Sequence, residues 1–301
     1  MIYASIDIGT NTVLLTVAEL GPCTGGVTPP LRVLRDEALI TRLGEGLHRA
    51  AVFSSKAQDR TLSALKNYRK IADELGAEKI IAVGTASFRR AKNASDFVDA
   101  VLKETGVSIR IISGQEEARL SYLSAAHDFG TRENLFVLDI GGGSTEIISK
   151  DSAVSMDLGV VSLTESIVRN DPPTEEEISA MEKEIERHVG AGFPRPGPAV
   201  PTLIALAGSV TTLSAIKQKL AVWDGDKVQG SVLSLRDLDS MIDTFRKTTN
   251  EEKGRLAGMV KGREDTILAG TLIVRRILKE LKLSELTVSD RGLRFGLIYE
   301  S

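Results

Sequence analysis

Three short stretches of this 301-residue chain combine the residue types that hold anions. The richest is Asp139-Ile140-Gly141-Gly142-Gly143-Ser144-Thr145-Glu146, a glycine triplet between two carboxylates. Glycine has no Cβ, so several backbone N–H groups of such a turn can close on one anion, with the Ser144 hydroxyl as a further donor. Asp139 is placed to hold a divalent cation that neutralises phosphate charge, and Glu146 can join it directly or through water. The plain alternative is a hairpin turn. A related stretch lies 132 residues earlier, where Asp7-Ile8-Gly9-Thr10-Asn11-Thr12 again delivers a carboxylate to a glycine turn followed by hydroxyl and amide side chains. The third is Ala207-Gly208-Ser209-Val210-Thr211-Thr212, where a strand runs into a helix. A helix N-terminus behind a Gly-Ser turn offers free N–H donors and the positive dipole end, unless Ser209 simply caps the helix.

Two further groups could work beside such turns. Arg89 and Arg90 follow Gly84-Thr85-Ala86-Ser87-Phe88 at the end of an apolar segment, where an arginine can fork onto a phosphate or remain a solvated charge. Glu116 and Glu117 open a helix and complement its dipole. Successive helical residues point about 100° apart, so at most one of the two need face a site. His48, His127 and His188 lack ligand spacing. Cys23 lies in a Gly/Pro/Thr stretch without a paired histidine motif, which makes a thiol nucleophile improbable. There is no GxxxxGK[ST], GxGxxG or GxSxG sequence. Lys217, Lys219, Lys253, Arg255, Lys261 and Arg263 are basic candidates for an anionic groove, if they converge.

The elements that must position these residues alternate between strand and helix. Ile2–Ile8 and Val13–Leu20 read as strands joined by Gly9-Thr10-Asn11-Thr12, and Leu31–Leu39 as a third. Ser54–Leu75 has apolar residues at helical spacing and stops at Gly76. Lys79–Val83 is β-like, Ser95 can cap a helix ending at Gly106, Ile109–Ile112 is a short strand, and a helix spans Gln115–Phe129. The pattern then restarts with strand Leu135–Ile140, its glycine turn and Glu146–Ile148. Thr174 and Glu177 form a capping-box pair opening a helix to Val189. The proline- and glycine-rich stretch Gly190–Pro201 reads as a loop before strand Thr202–Leu206 and helix Ser209–Leu220. Helices Leu235–Lys247 (capped by Ser234) and Asp265–Leu281, strand Leu286–Ser289 and a helical Gly292–Tyr299 complete an α/β chain. The repeat of the Asp7 turn at Asp139 implies two domains with similar cores, their turns facing each other across a cleft.

Composition fits this reading. Hydrophobic residues at 42% and charged residues at 26% are ordinary for a globular protein. A net charge of −3 lacks the basic footprint of a general nucleic-acid binder, yet leaves room for a small anionic substrate. One cysteine excludes an intramolecular disulfide and a cysteine-based zinc cluster. No basic leader and no run of 18 apolar residues is found, so the expectation is a cytoplasmic protein with no membrane partner.

Taken in order along the chain, these blocks resemble the exopolyphosphatase/guanosine pentaphosphatase family, within the actin, sugar-kinase and heat-shock-chaperone superfamily. The matching blocks are Asp7–Thr12, Arg42–Leu47, Gly84–Asn93, Ser113–Arg119, Asp139–Glu146, Asp171–Thr174, Ala207–Thr212, Arg263–Gly270 and Ser289–Gly296. The resemblance implies two actin-like (ribonuclease H-like) domains with mixed sheets flanked by helices and an active site in the interdomain cleft. Domain bounds of 1–117 plus about 290–301, and 118–289, follow. It implies Glu117 as the catalytic residue that activates water. Phosphate binding falls to Asn11, Thr12, Arg89, Gly141, Gly142, Gly143, Ser144, Thr145, Gly208 and Ser209, and metal association to Asp139 and Glu146. The implied cofactor is Mg²⁺ or another divalent cation, and the implied state is a homodimer. The implied reaction is hydrolysis of terminal phosphoanhydride bonds of inorganic polyphosphate, with guanosine pentaphosphate hydrolysis, phosphotransfer to another acceptor and non-catalytic alarmone sensing as alternatives. Longer family members continue into a helical region, so an end at Ser301 carries the expectation that short polyphosphates are preferred. Arg294-Phe295-Gly296 stands where many relatives have Arg-Glu-Gly.

Overall fold

A computed structural model describes residues 1–22, 30–130, 134–190 and 201–301. Cys23 and most of the Gly190–Pro201 stretch lie outside the described residues. The chain divides into two compact units, Met1–Phe129 with Gly292–Ser301, and Gly130–Arg291.

The first unit contains β1 (Ile2–Ile8), β2 (Thr12–Leu20), β3 (Leu31–Ile40), α1 (Leu47–Ala50), α2 (Ser55–Glu74), β4 (Lys79–Gly84), α3 (Ala86–Arg90), α4 (Ala94–Thr105), β5 (Ile109–Ile111) and α5 (Gly114–Phe129). Its sheet has the order β3-β2-β1-β4-β5. β1 pairs antiparallel with β2 and parallel with β4. The apolar face of strand β1 is buried under helices, its residues Ala4, Ile6 and Ile8 joining Leu65 and Tyr68 of α2 and Phe97 of α4 in one core, while Tyr3, Ser5 and Asp7 alternate onto the other face. The helix at 55–74 forms as its spacing requires: Ser54 accepts the Ala57 N–H, and Gly76 takes φ 70 just beyond the end. Ser95 does not cap the next helix. Asn93 precedes it instead, and the Asn93 side chain is spent on Phe53, accepting its N–H at 2.8 Å and donating to its C=O at 3.0 Å.

The second unit contains β6 (Leu135–Ile140), β7 (Thr145–Ile148), β8 (Ala153–Met156), α6 (Val160–Ile167), α7 (Glu175–Val189), β9 (Thr202–Leu206), α8 (Gly208–Lys217), α9 (Gly225–Val228), β10 (Val232–Ser234), α10 (Leu235–Phe245), α11 (Asn250–Gly254), α12 (Ile267–Glu280) and β11 (Glu285–Val288). Read from its β8 edge, the sheet order is β8-β7-β6-β9-β11-β10. β6 pairs antiparallel with β7 and parallel with β9, as β1 does with β2 and β4. The repeat seen in the Asp7 and Asp139 turns is therefore a repeat of topology: three antiparallel strands, then two parallel strands reached by helical crossovers. The capping box at α7 forms, with Thr174 accepting the Glu177 N–H and Glu177 accepting the Thr174 N–H.

The last helix, α13 (Leu293–Tyr299), belongs to the first unit. It packs on α5, and this is why α5 stays whole in that unit to Phe129, past the 117/118 boundary read from the sequence. Arg294, only 7% exposed, anchors α13 to the sheet: its Nε and Nη2 reach the Asp36 carboxylate at 3.0 and 2.7 Å, and Nε also reaches Thr16 Oγ1 at 2.8 Å. Phe295 is buried, and the Arg294 guanidinium lies 5.0 Å from its ring centre. No helix among the described residues is long and apolar enough to cross a membrane.

Candidate active site

Each unit builds its turn at the carboxyl end of a central strand, and the two turns close alike. Gly9 donates to the Thr12 C=O at 3.0 Å, and Gly141 donates to the Ser144 C=O at 2.8 Å. Both are braced from behind through their carbonyls. The Thr10 and Asn11 carbonyls accept N–H bonds from Thr41, Arg42 and Gly44, while those of Gly141 and Gly142 accept from Val160, Val161 and Ser162 at the start of α6. Binding the carbonyls elsewhere leaves donors as the free groups of the turn. The N–H groups of Gly142 and Gly143 find no acceptor among the described residues. Asn11 is 6% exposed and its Nδ2 has no partner, a buried donor matched to an anion. Thr12 is half-buried, Ser144 is buried, and the Thr145 hydroxyl turns inward to the Leu158 carbonyl. Thr145 is thus a structural donor, its hydroxyl spent within the fold.

Asp139 and Glu146 are directly opposite each other across β6 and β7, and Glu146 is opposite Ser155 across β7 and β8. Paired residues of an antiparallel ladder share a sheet face, so the two carboxylates stand side by side beside the glycine turn. Glu146 is 2% exposed, and its Oε1 accepts from Ser155 Oγ at 2.7 Å. Two carboxylates placed together at an anion turn fit a hard cation such as Mg²⁺, which takes one or two protein oxygens and completes its shell with phosphate and water. No cluster of three or more potential ligands occurs among the described residues.

After β9, Ala207 adopts φ 77, a strained conformation for a residue with a Cβ, and Gly208 begins α8. Ser209 is inside the helix and not its cap, so the helix N–H groups are not consumed by a capping side chain. A Cβ on Gly208 would stand 1.8 Å from Arg263 Nη2, so glycine is what lets that guanidinium lie against the helix start. Burial pulls the Arg263 pKa down to about 10, which still leaves it cationic at neutral pH. Arg263 was legible in the sequence only as one of six basic residues. Three of the others are engaged elsewhere: Lys217 pairs with Asp237, Arg255 with Glu251, and Lys253 is buried against Asn250.

In the first unit the fold selects between the two glutamates. Arg89 Nη1 donates to Glu117 Oε2 at 2.8 Å and to the Ile112 carbonyl at 3.0 Å. Glu116 instead pairs with Arg110, outside this group. The Glu117 side chain is 14% exposed against 28% for Glu116. The Nε and Nη2 donors of Arg89 meet no acceptor among the described residues, so the fork retains donors for an anion while Nη1 holds the carboxylate.

Two units of actin-like topology, each with a glycine turn at its central strand, define a protein of the phosphate-handling actin-like class. Residues 24–301 match the Ppx/GppA phosphatase family, and the chain belongs to that family. It is 32% identical over 309 residues to Exopolyphosphatase 2 of Mycobacterium tuberculosis, covering 98% of this chain and 96% of that protein. It is 30% identical over 316 residues to the bifunctional 3-dehydroquinate synthase/phosphatase of Fusobacterium nucleatum, covering 99% of this chain but 46% of that protein, about half its length. Among solved structures, the PPX-GPPA enzyme of Aquifex aeolicus superposes with a TM-score of 0.82 at 33% identity, covering 100% of this chain and 99% of that one.

Proposed function

We propose that the protein is an exopolyphosphatase that hydrolyses the terminal phosphoanhydride bond of inorganic polyphosphate and releases orthophosphate. The observation that carries this reading is the Arg89–Glu117 pair in a chain of this family, an anion-holding fork and a carboxylate base 2.8 Å apart. Phosphoryl transfer needs little covalent help, so the work of the protein is positioning and charge neutralisation. In the first unit the free Arg89 donors, Asn11 Nδ2 and the Thr12 backbone, and in the second the free N–H groups of the 141–145 turn and those of Gly208-Ser209, are the groups suited to hold phosphate oxygens. Glu117 accepts a proton from water as its oxygen attacks the terminal phosphorus. The bond to the bridging oxygen breaks, and the shortened chain leaves with the electron pair.

Asp139 and Glu146 are the residues that would hold Mg²⁺ or another divalent cation. When bound, the cation lowers the negative charge that the transferring phosphoryl group presents. Cytoplasmic residence and a homodimeric state come with the family resemblance. The composition supports a small anionic substrate over nucleic acid. The test measures phosphate release from short polyphosphate, long polyphosphate and guanosine pentaphosphate side by side, with and without Mg²⁺. Cation-dependent release from polyphosphate supports the proposal. Release from guanosine pentaphosphate alone replaces the substrate, and tight binding of either without turnover replaces the enzyme with a sensor.

A further inference from the structure

The helix that carries Glu117 is held in place by the far end of the chain. α13 crosses α5 at Gly296, where a Cβ would stand 2.1 Å from the Leu120 carbonyl oxygen, 2.7 Å from its carbon and 3.1 Å from its Cα. These are backbone atoms, so no rotamer change relieves the overlap. The two helices can only separate, by about 1 Å, before the contact becomes tolerable. Leu120 follows Glu117 by three residues, so the crossing point and the carboxylate lie about one turn apart on neighbouring positions of α5.

Which helix would give way is decided by the anchors. α13 is pinned to the sheet by Arg294 on Asp36 and Thr16, and by Ile298 packed against Tyr3 and Ala18. The start of α5 is tied by the Glu116–Arg110 pair, whose arginine side chain is 54% exposed against 9% for Arg294, and so exposed a pair yields more readily. Glu117 of α5 reaches Arg89, which is anchored separately on the Ile112 carbonyl. Displacement at the crossing is therefore taken up by α5 and moves Glu117 relative to Arg89.

We propose that Gly296 is a positioning residue for Glu117, its missing side chain setting the α5–α13 distance that brings the carboxylate to Arg89. The proposal rests on the reading of Glu117 as the base. In the full chain, Gly296→Ala lowers kcat for phosphate release by about 10- to 100-fold, the effect of misplacing a reacting group by about 1 Å. KM stays within about threefold, because the anion-holding turns are untouched. Glu117 separated from Arg89 is a more basic carboxylate, so the acid limb of the kcat/KM profile moves to higher pH. Ile298→Ala, which loosens the same helix without wedging it against α5, is the control and leaves that limb in place. In Gly296→Ala with Arg294→Lys, α13 is freed to retreat and part of kcat returns.

A Gly296→Ala protein that melts earlier but keeps the parent kcat and acid limb overturns the proposal and leaves Gly296 a packing residue. If Gly296→Ala does not fold, Leu297→Ala thins the same crossing, where Leu297 packs on Leu120. Unchanged kcat and acid limb in that variant overturn the proposal equally. Parent-level turnover in Glu117→Gln refutes the base assignment itself, whereas collapse there with an unaffected Gly296→Ala refutes only the positioning role.

Discussion

Replacing Glu117 by glutamine separates proton acceptance from binding. Glutamine keeps the length and one acceptor oxygen, so Arg89 still has a partner, but the charge and the proton-accepting capacity go. Loss of a general base costs about 10²–10⁴ in rate. Binding moves the other way. A unit charge about 6 Å from a phosphate repels it by about 1–3 kcal/mol for an effective dielectric between that of water and about 20. Its removal tightens polyphosphate by about tenfold. Glu116→Gln is the control from the same helix start: it breaks the pair with Arg110 and removes a dipole contribution of about 0.3–1 kcal/mol. Stopped-time phosphate release and direct binding of polyphosphate, measured on both variants, give the comparison. Similar, modest effects of the two substitutions would refute the reasoning and return Glu117 to the role of a helix-end charge.

Asp139→Asn keeps the turn but removes one of the paired carboxylates, and cation-dependent turnover falls by orders of magnitude; a Mg²⁺ titration with the parent profile would make Asp139 structural. Arg294→Ala strands the Asp36 carboxylate and destabilises the first unit by about 3 kcal/mol, read from urea unfolding, whereas Arg294→Lys loses the fork at smaller cost. Burial lowers the pKa of Lys253, so its charged form costs stability below that folded pKa, and the cost fades as pH rises from there to the unfolded value near 10.5. Lys253→Met therefore raises the melting temperature by a few degrees at pH 7, and by less as pH approaches about 10.5; a gain constant with pH would contradict the burial argument.

The sequence by itself determined most of the strands, the helix caps at Thr174 and Ser234, and the two glycine turns, because each depends on neighbours a few residues away, whereas the short strands Ala153–Met156 and Val232–Ser234 were not legible in it. The 132-residue repeat also implied two domains with similar cores, and the two sheets share five strands of common topology, with β10 added at the edge of the second. What the sequence left open was decided by partners distant along the chain. Val160–Ile167, rich in β-branched residues, forms a helix because its first N–H groups bond the Gly141 and Gly142 carbonyls. Glu116 and Glu117 are adjacent and alike in the sequence, and only the positions of Arg110 and Arg89 make one a surface charge and the other a candidate base. Arg263 stands out from five other basic residues only through its burial against Gly208. The reason is common to all three. Local spacing sets a residue's direction from its own backbone, but its partner, burial and charge environment are properties of segments tens to hundreds of residues away that only packing brings into reach.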